Sequence, residues 1–184
     1  MANDLLILTT GGTFDKRYPE GQWVTEFTFP PEQQSAVTDI LKRGRMDTDA
    51  FAREWLFAED STKITDAQRD LIAARCASAT QRQIVVIHGT DTMTRRIDPA
   101  TGKIASTPNT ASAIAARAPD KTIVLTGAAQ PAVLRESDAD FNLGLAIGVA
   151  LAAPAGVYVA MNGLVAPWDT IVKTVDGSFR QIEA

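Results

Sequence analysis

Four short, nearly unbroken apolar runs constrain this chain more than any other feature: Leu5-Leu6-Ile7-Leu8, Ile84-Val85-Val86-Ile87, Thr122-Ile123-Val124-Leu125 and Val157-Tyr158-Val159-Ala160. Each is too short for a helix. Each is apolar at successive positions rather than at every second one, which is the pattern of strands covered on both faces inside a parallel sheet. A further strand is expected at Glu54-Trp55-Leu56-Phe57. The stretches between them read as helices. One opens at Pro30-Pro31-Glu32, where proline is tolerated, and runs to about Gly44 with Val37, Ile40 and Leu41 at helical spacing. A second is capped by Thr65-Asp66 and carries Leu71, Ile72, Ala74 and Cys76. A third covers about Pro108 to Ala118, and an alanine-rich fourth covers Asp138 to Ala152. Residues 14–30 lack helical period and read as a long loop or loose hairpin. The tail holds two short extended pieces. Strands alternating with helices predict an α/β fold, an open, mostly parallel sheet with helices on both faces, built as one domain over residues 1–184.

Composition narrows the function classes. The chain has 184 residues, 45% hydrophobic, which suffices for a single core and argues against disorder. A net charge of −4 makes nucleic acid a poor partner. No apolar run approaches a membrane span, and the start lacks the pattern of a signal peptide, so the expected setting is cytoplasmic, with no membrane partner. One cysteine and one histidine exclude an internal disulfide and a His- or Cys-rich metal centre. No metal and no cofactor are expected.

Right-handed crossovers bring the carboxyl ends of parallel strands to one edge, where such folds bind ligands. The residues just past each strand are therefore the candidates. After the first come Thr10-Gly11-Gly12-Thr13, where glycine permits close main-chain approach and Thr13 offers a hydroxyl. The pair alone also fits a simple tight turn. It is neither a phosphate loop nor a dinucleotide fingerprint. After the second come Asp60-Ser61-Thr62, either a helix entry or a pair of polar groups for a small ligand. After the third come His88-Gly89-Thr90-Asp91-Thr92, where hydroxyl beside carboxylate invites proton handling. His88 itself reads as a satisfied core histidine. After the fourth come Gly127-Ala128-Ala129. Lys173 is either a surface lysine at a strand edge or a desolvated base, and its neighbours leave both open. Cys76 reads as a buried helix residue. Trp23, Trp55 and Trp168 read as packing or interface aromatics.

Taken together these segments resemble the L-asparaginases of the bacterial type, a family of threonine amidohydrolases. The resemblance rests on Thr10-Gly11-Gly12-Thr13, His88-Gly89-Thr90-Asp91-Thr92, Thr126-Gly127-Ala128, Asp138 to Leu143 with its Phe141-Asn142-Leu143, Met161-Asn162 and Lys173 in the family's order and spacing. It implies that Thr13 attacks the side-chain amide of L-asparagine, giving an ester that water resolves to aspartate. It implies a relay of Thr90, Lys173 and Asp91 that moves protons. It further implies that Ser61 and Thr62 hold the substrate carboxylate, that Asp91 meets the ammonium group, and that Gly12, Gly89 and Ala128 present main chain to the substrate. Glutamine hydrolysis, a related amidase activity and a silent amino-acid-binding domain are the competing readings.

Three departures from the family pattern stand out. Family members carry a second, C-terminal domain that this reading takes to be absent, with weaker substrate binding as the expected consequence. The family's loop tyrosine is replaced at that spacing by Glu26, and Tyr18 is expected to take over the activating role. Lys16 would stand beside Tyr18 or bind the product carboxylate. The segment from Arg95 to Lys103 reads as an inserted, solvated loop or hairpin. Because the family builds its site across a subunit contact, a homodimer or homotetramer is expected.

Overall fold

In the computed structural model, which describes residues 4–19, 21, 26–31, 34–118 and 120–183, the apolar runs form the middle of one sheet. The strands are β1 (Leu5–Gly11), β2 (Phe51–Glu59), β3 (Gln83–Ile87), β5 (Thr122–Thr126), β6 (Gly156–Met161) and β7 (Leu164–Pro167), in the order β2-β1-β3-β5-β6-β7. All neighbours pair in parallel except β6 and β7. Parallel neighbours need a crossover, and the helices supply it. They are α1 (Val37–Arg43), α2 (Asp66–Ser78), α3 (Thr110–Ala115) and α4 (Ala139–Ala152).

Strand side chains alternate between faces, and the core divides accordingly. Leu6, Leu8, Ile84, Val86, Ile123 and Leu125 pack with Ile72 and Cys76 of α2 and Ile114 of α3. Leu5, Ile7, Val85, Ile87 and Val124 pack with Ile40 and Leu41 of α1 and Leu143 and Ile147 of α4. Helices therefore cover both faces, as expected, and the apolar runs are continuous because neither face meets water. Burial pushes the Cys76 thiol up to about 12, so it stays protonated within the core.

Several boundaries move. The helix expected from Pro30 begins at Val37; Glu32 and Trp23 lie outside the described residues. The reason is a competing acceptor. The buried Asp15 carboxylate takes the Ala36 N–H at 2.9 Å and the Ser35 hydroxyl at 2.7 Å, holding the chain before a helical ladder can begin. The start of α2 does fall at Thr65, whose hydroxyl and Gln68 form a reciprocal capping box. Along α2, Ile72, Ala73 and Cys76 are buried, while Leu71 is 49% exposed. The third helix is shorter than expected and is capped by the Asn109 side chain. Within the expected loop, Arg17 and Thr28 form an antiparallel bridge, while residues 20 and 22–25 lie outside the described residues.

The largest correction concerns the segment at Arg95. It is no solvated loop at its root: Arg95–Arg96 is a strand, β4, in a second sheet of order β4-β8-β9. Its partners β8 (Ile171–Lys173) and β9 (Phe179–Gln181), with β7, make three strands of the tail where two were expected. Beyond β4, Ile97 and Ile104 bridge, and Asp98 accepts the N–H groups of Ala100 and Thr101 to close the hairpin.

Candidate active site

Three turns interlock at the carboxyl ends of β2, β1 and β3. Gly12 has φ of 77°, and a Cβ there would lie 2.6 Å from the Gly89 Cα and N. A Cβ on Gly89 would in turn lie 2.7 Å from the Ser61 Cβ. Main chain thus packs on main chain, which only glycine permits at Gly12. The consequence is placement: Thr13 and Thr90 follow immediately after two turns in direct contact. Thr13 is half-buried and opens one turn of 3-10 helix, Thr13–Asp15. Among the described residues its hydroxyl has no hydrogen-bond partner.

Lys173 reaches this edge from the second sheet. Its Nζ donates to Thr90 Oγ1 and to Asp91 Oδ1, each at 2.7 Å. The lysine side chain is 15% exposed and the aspartate 44%. An ion pair this accessible adds little to stability; its effect is to fix an amine on a hydroxyl. Strand pairing holds the lysine on both sides, with Arg96 and Phe179 in register and the Ile97 N–H donating to the Lys173 carbonyl at 2.8 Å. Of the two readings open at Lys173, it is largely covered and bound to chemistry-bearing groups.

Ser61 is buried and ties β2 to the 88–92 turn. Its Oγ accepts the Asp91 N–H at 3.1 Å, and its carbonyl accepts the Thr92 hydroxyl at 2.7 Å. Thr62 beside it is exposed. Ala128 is buried on the neighbouring turn. Lys16 pairs with Asp60 at 2.8 Å and lies 5.3 Å from the Phe29 ring centroid. Tyr18 packs its ring on Phe27 at 4.2 Å and is 50% exposed.

His88 is fully buried, and both ring nitrogens are engaged, Nδ1 with the Gly89 carbonyl and Nε2 with the Thr110 hydroxyl. Burial lowers its pKa to about 4, so it stays neutral and serves the core. Burial works the other way on Asp15, two residues past Thr13: its pKa rises to about 6, and its Oδ2 has no partner.

The Asp15 clasp was not singled out in the sequence. Asp138, Asn142 and Asn162 stood there only as parts of matching stretches, and the structure joins them in a polar knot beneath the 127–130 turn. Asp138 Oδ1 accepts the N–H groups of Ala129 and Gln130, and its Oδ2 accepts from Asn142 and Asn162. Asn142 also donates to the Gly127 carbonyl and accepts the Asn162 N–H. The spacing of Asp138 and Asn142, one helical turn apart at a helix start, is the signal that could have found it. No cluster of three or more metal-binding side chains occurs among the described residues, and none of the helices there could cross a membrane.

The family model for the N-terminal domain of asparaginase matches residues 4–183. Among solved structures, the thermostable L-asparaginase from Thermococcus kodakarensis superposes with a TM-score of 0.75 at 25% identity, over 98% of this chain and 51% of that one. L-asparaginase I from Vibrio cholerae gives 0.72 at 21% identity, over 98% and 52%. A probable cytoplasmic L-asparaginase from Campylobacter jejuni gives 0.65 at 21% identity, over 100% and 59%. The chain thus spans about half the length of the first two. No curated protein sequence matches it.

Proposed function

The chain belongs to the asparaginase family, and on that premise we propose that it is an amidohydrolase that converts L-asparagine to L-aspartate and ammonia through an ester on Thr13. The observation that carries the proposal is Lys173, bonded to both Thr90 and Asp91 beside the turn that bears Thr13.

The chemistry follows from the groups. A hydroxyl is a weak nucleophile until a base removes its proton. Thr13 Oγ1 adds to the amide carbon while its proton passes to the activating group, for which Tyr18 is the candidate. Main-chain N–H groups near Thr90 receive the charge that develops on the carbonyl oxygen, an effect worth roughly 2.7–4 kcal/mol per donor. The C–N bond breaks, and ammonia leaves with the transferred proton. Thr90, Lys173 and Asp91 then orient a water molecule and take its proton as its oxygen adds to the ester. Collapse returns the Thr13 hydroxyl and releases aspartate. Ser61 and Thr62 serve the substrate carboxylate, Asp91 the ammonium, and the Gly12, Gly89 and Ala128 main chain lines the path. Lys16, bound to Asp60, acts on the loop after Thr13 rather than on the product. No cofactor takes part in this scheme. A cytoplasmic setting belongs to the same reading, in keeping with the description of the Campylobacter relative.

The test is ammonia release from asparagine and glutamine. Thr90→Val and Lys173→Met are expected to lower the asparagine rate by roughly 10²–10⁴, the range of general acid–base catalysis, with the far-ultraviolet spectrum unchanged. Tyr18→Phe is expected to lower it as well. Rates within twofold of wild type in the first two would remove the relay, and in the third would remove Tyr18.

A further inference from the structure

The main chain at His88 and Gly89 is clamped from two sides. A Cβ on Gly12 would lie 2.6 Å from the Gly89 N, and one on Gly127 would lie 2.3 Å from the His88 carbonyl oxygen. Such contacts fix where the turn lies. They do not fix how the next peptide, between Gly89 and Thr90, is rotated, because glycine leaves its own ψ free. A polar anchor does that. Among the described residues the Gly89 carbonyl has one hydrogen-bond partner, the His88 Nδ1 at 2.7 Å. A carbonyl only accepts, so Nδ1 carries the hydrogen of the ring. Burial keeps the ring neutral, so Nε2 is bare and accepts the Thr110 hydroxyl at 2.8 Å. Thr110, fully buried at the head of α3, thereby fixes the tautomer.

In a trans peptide the N–H points opposite to the C=O. With the Gly89 carbonyl drawn toward the buried ring, the Thr90 N–H is turned away from it, toward the edge where Lys173 meets Thr90. That N–H has no hydrogen-bond partner among the described residues. The next one along, of Asp91, is taken by Ser61 Oγ. A main-chain donor left unmatched on a half-buried turn is costly, and it is the group that a developing oxyanion requires.

We propose that His88 is a positioning residue: its Nδ1–H, held by Thr110, keeps the Gly89–Thr90 peptide in the orientation that presents the Thr90 N–H to the amide oxygen of the substrate. His88 touches no substrate and acts through the peptide alone. The proposal rests on the amidohydrolase reading for its reaction, but not for the orientation of the peptide.

Two measurements test it together: ammonia release from asparagine, and nitrogen-15 magnetic resonance of the ring and of the Thr90 amide. The chain has one histidine, so the ring signals belong to His88 alone. In the wild type at neutral pH, Nδ1 is expected to carry hydrogen and Nε2 none. The amide of His88→Gln reaches the Nε2 position and leaves the Gly89 carbonyl unmatched. Its kcat should fall about tenfold or more, toward the roughly 10²–10³ of losing one oxyanion donor, with KM little changed. His88→Asn sets its amide nitrogen where Nδ1 stands and should recover most of the rate. Thr110→Val keeps the ring but frees its tautomer; it should lower kcat in the same sense, and it decides the matter if the substitutions at His88 unfold the core. A wild-type ring protonated on Nε2, equal kcat in the glutamine and asparagine variants, unchanged kcat in Thr110→Val, or a change confined to KM would overturn the assignment. Should the wild type release no ammonia, the amidohydrolase reading fails by itself. The Thr90 amide signal then judges His88: a signal displaced in His88→Gln and kept in His88→Asn supports it, and the same signal in both overturns it.

Discussion

Asp15 and His88 titrate in opposite directions across one pH interval. The folded chain holds the Asp15 proton more tightly than the unfolded chain does, with a pKa of about 6 against 3.8. Its contribution is therefore present below pH 3.8 and is lost as pH rises through 6. His88 is the reverse, at about 4 against 6.5. Its contribution is present above pH 6.5 and is lost as pH falls through 4. Each amounts to something on the order of 3 kcal/mol, so over pH 4–6 they nearly cancel. Asp15→Asn removes one side of this balance while keeping an oxygen for Ala36 and Ser35. The variant should lose on the order of 3 kcal/mol more than wild type between pH 6.5 and 4, read from urea unfolding across that range. Parallel profiles for the two proteins would show that Asp15 is not the acid-stabilising group. Neither effect was legible in the sequence. His88 could be read as a core residue because it continues a buried strand, but the burial of Asp15 depends on Ser35 and Ala36, twenty residues away.

Elements were legible where burial alone decides them. The runs at Leu5, Ile84, Thr122 and Val157 became adjacent strands, because an unbroken apolar segment of that length has no other way to hide from water. Elements fixed by a few non-local hydrogen bonds were not legible. Strands β4, β8 and β9 are two or three residues long, too short for a periodic pattern, yet they set where Lys173 stands. Likewise, α1 starts late because a distant carboxylate captures its entry. The candidate site divides in the same way. Gly12, Ser61, Gly89, Thr90, Asp91 and Lys173 lie together at the strand ends, whereas Lys16 and Tyr18 sit on a loop whose contacts the sequence could not specify. The Asp138 knot joins the start of α4 to the turns after β5 and β6. Asp138→Ala would strand the N–H groups of Ala129 and Gln130 and two asparagine amides. A loss of about 2–4 kcal/mol is expected from the denaturation midpoint. A loss under about 0.5 kcal/mol, the scale of an ordinary surface substitution, would mean that the turn holds itself.

Across the molecule, apolar side chains remain on the surface around α4: Phe141 is 60% exposed, Leu151 59% and, on the adjoining turn, Val133 56%. Exposed apolar side chains of this size are candidate contacts between copies. Self-association into a dimer or tetramer is accordingly part of the proposal, and light scattering should give a mass of at least twice 19.7 kDa. A monomer that turns over asparagine would refute it. All of this serves one chemical claim, that the hydroxyl past the first strand attacks an amide carbon with the Thr90, Lys173 and Asp91 cluster beside it. The direct measurement is ammonia release from asparagine by the wild type and by Thr13→Ala at equal concentration. The account predicts steady release by the former and a rate indistinguishable from the enzyme-free background for the latter. Equal release by both proteins, or none by either, would contradict it.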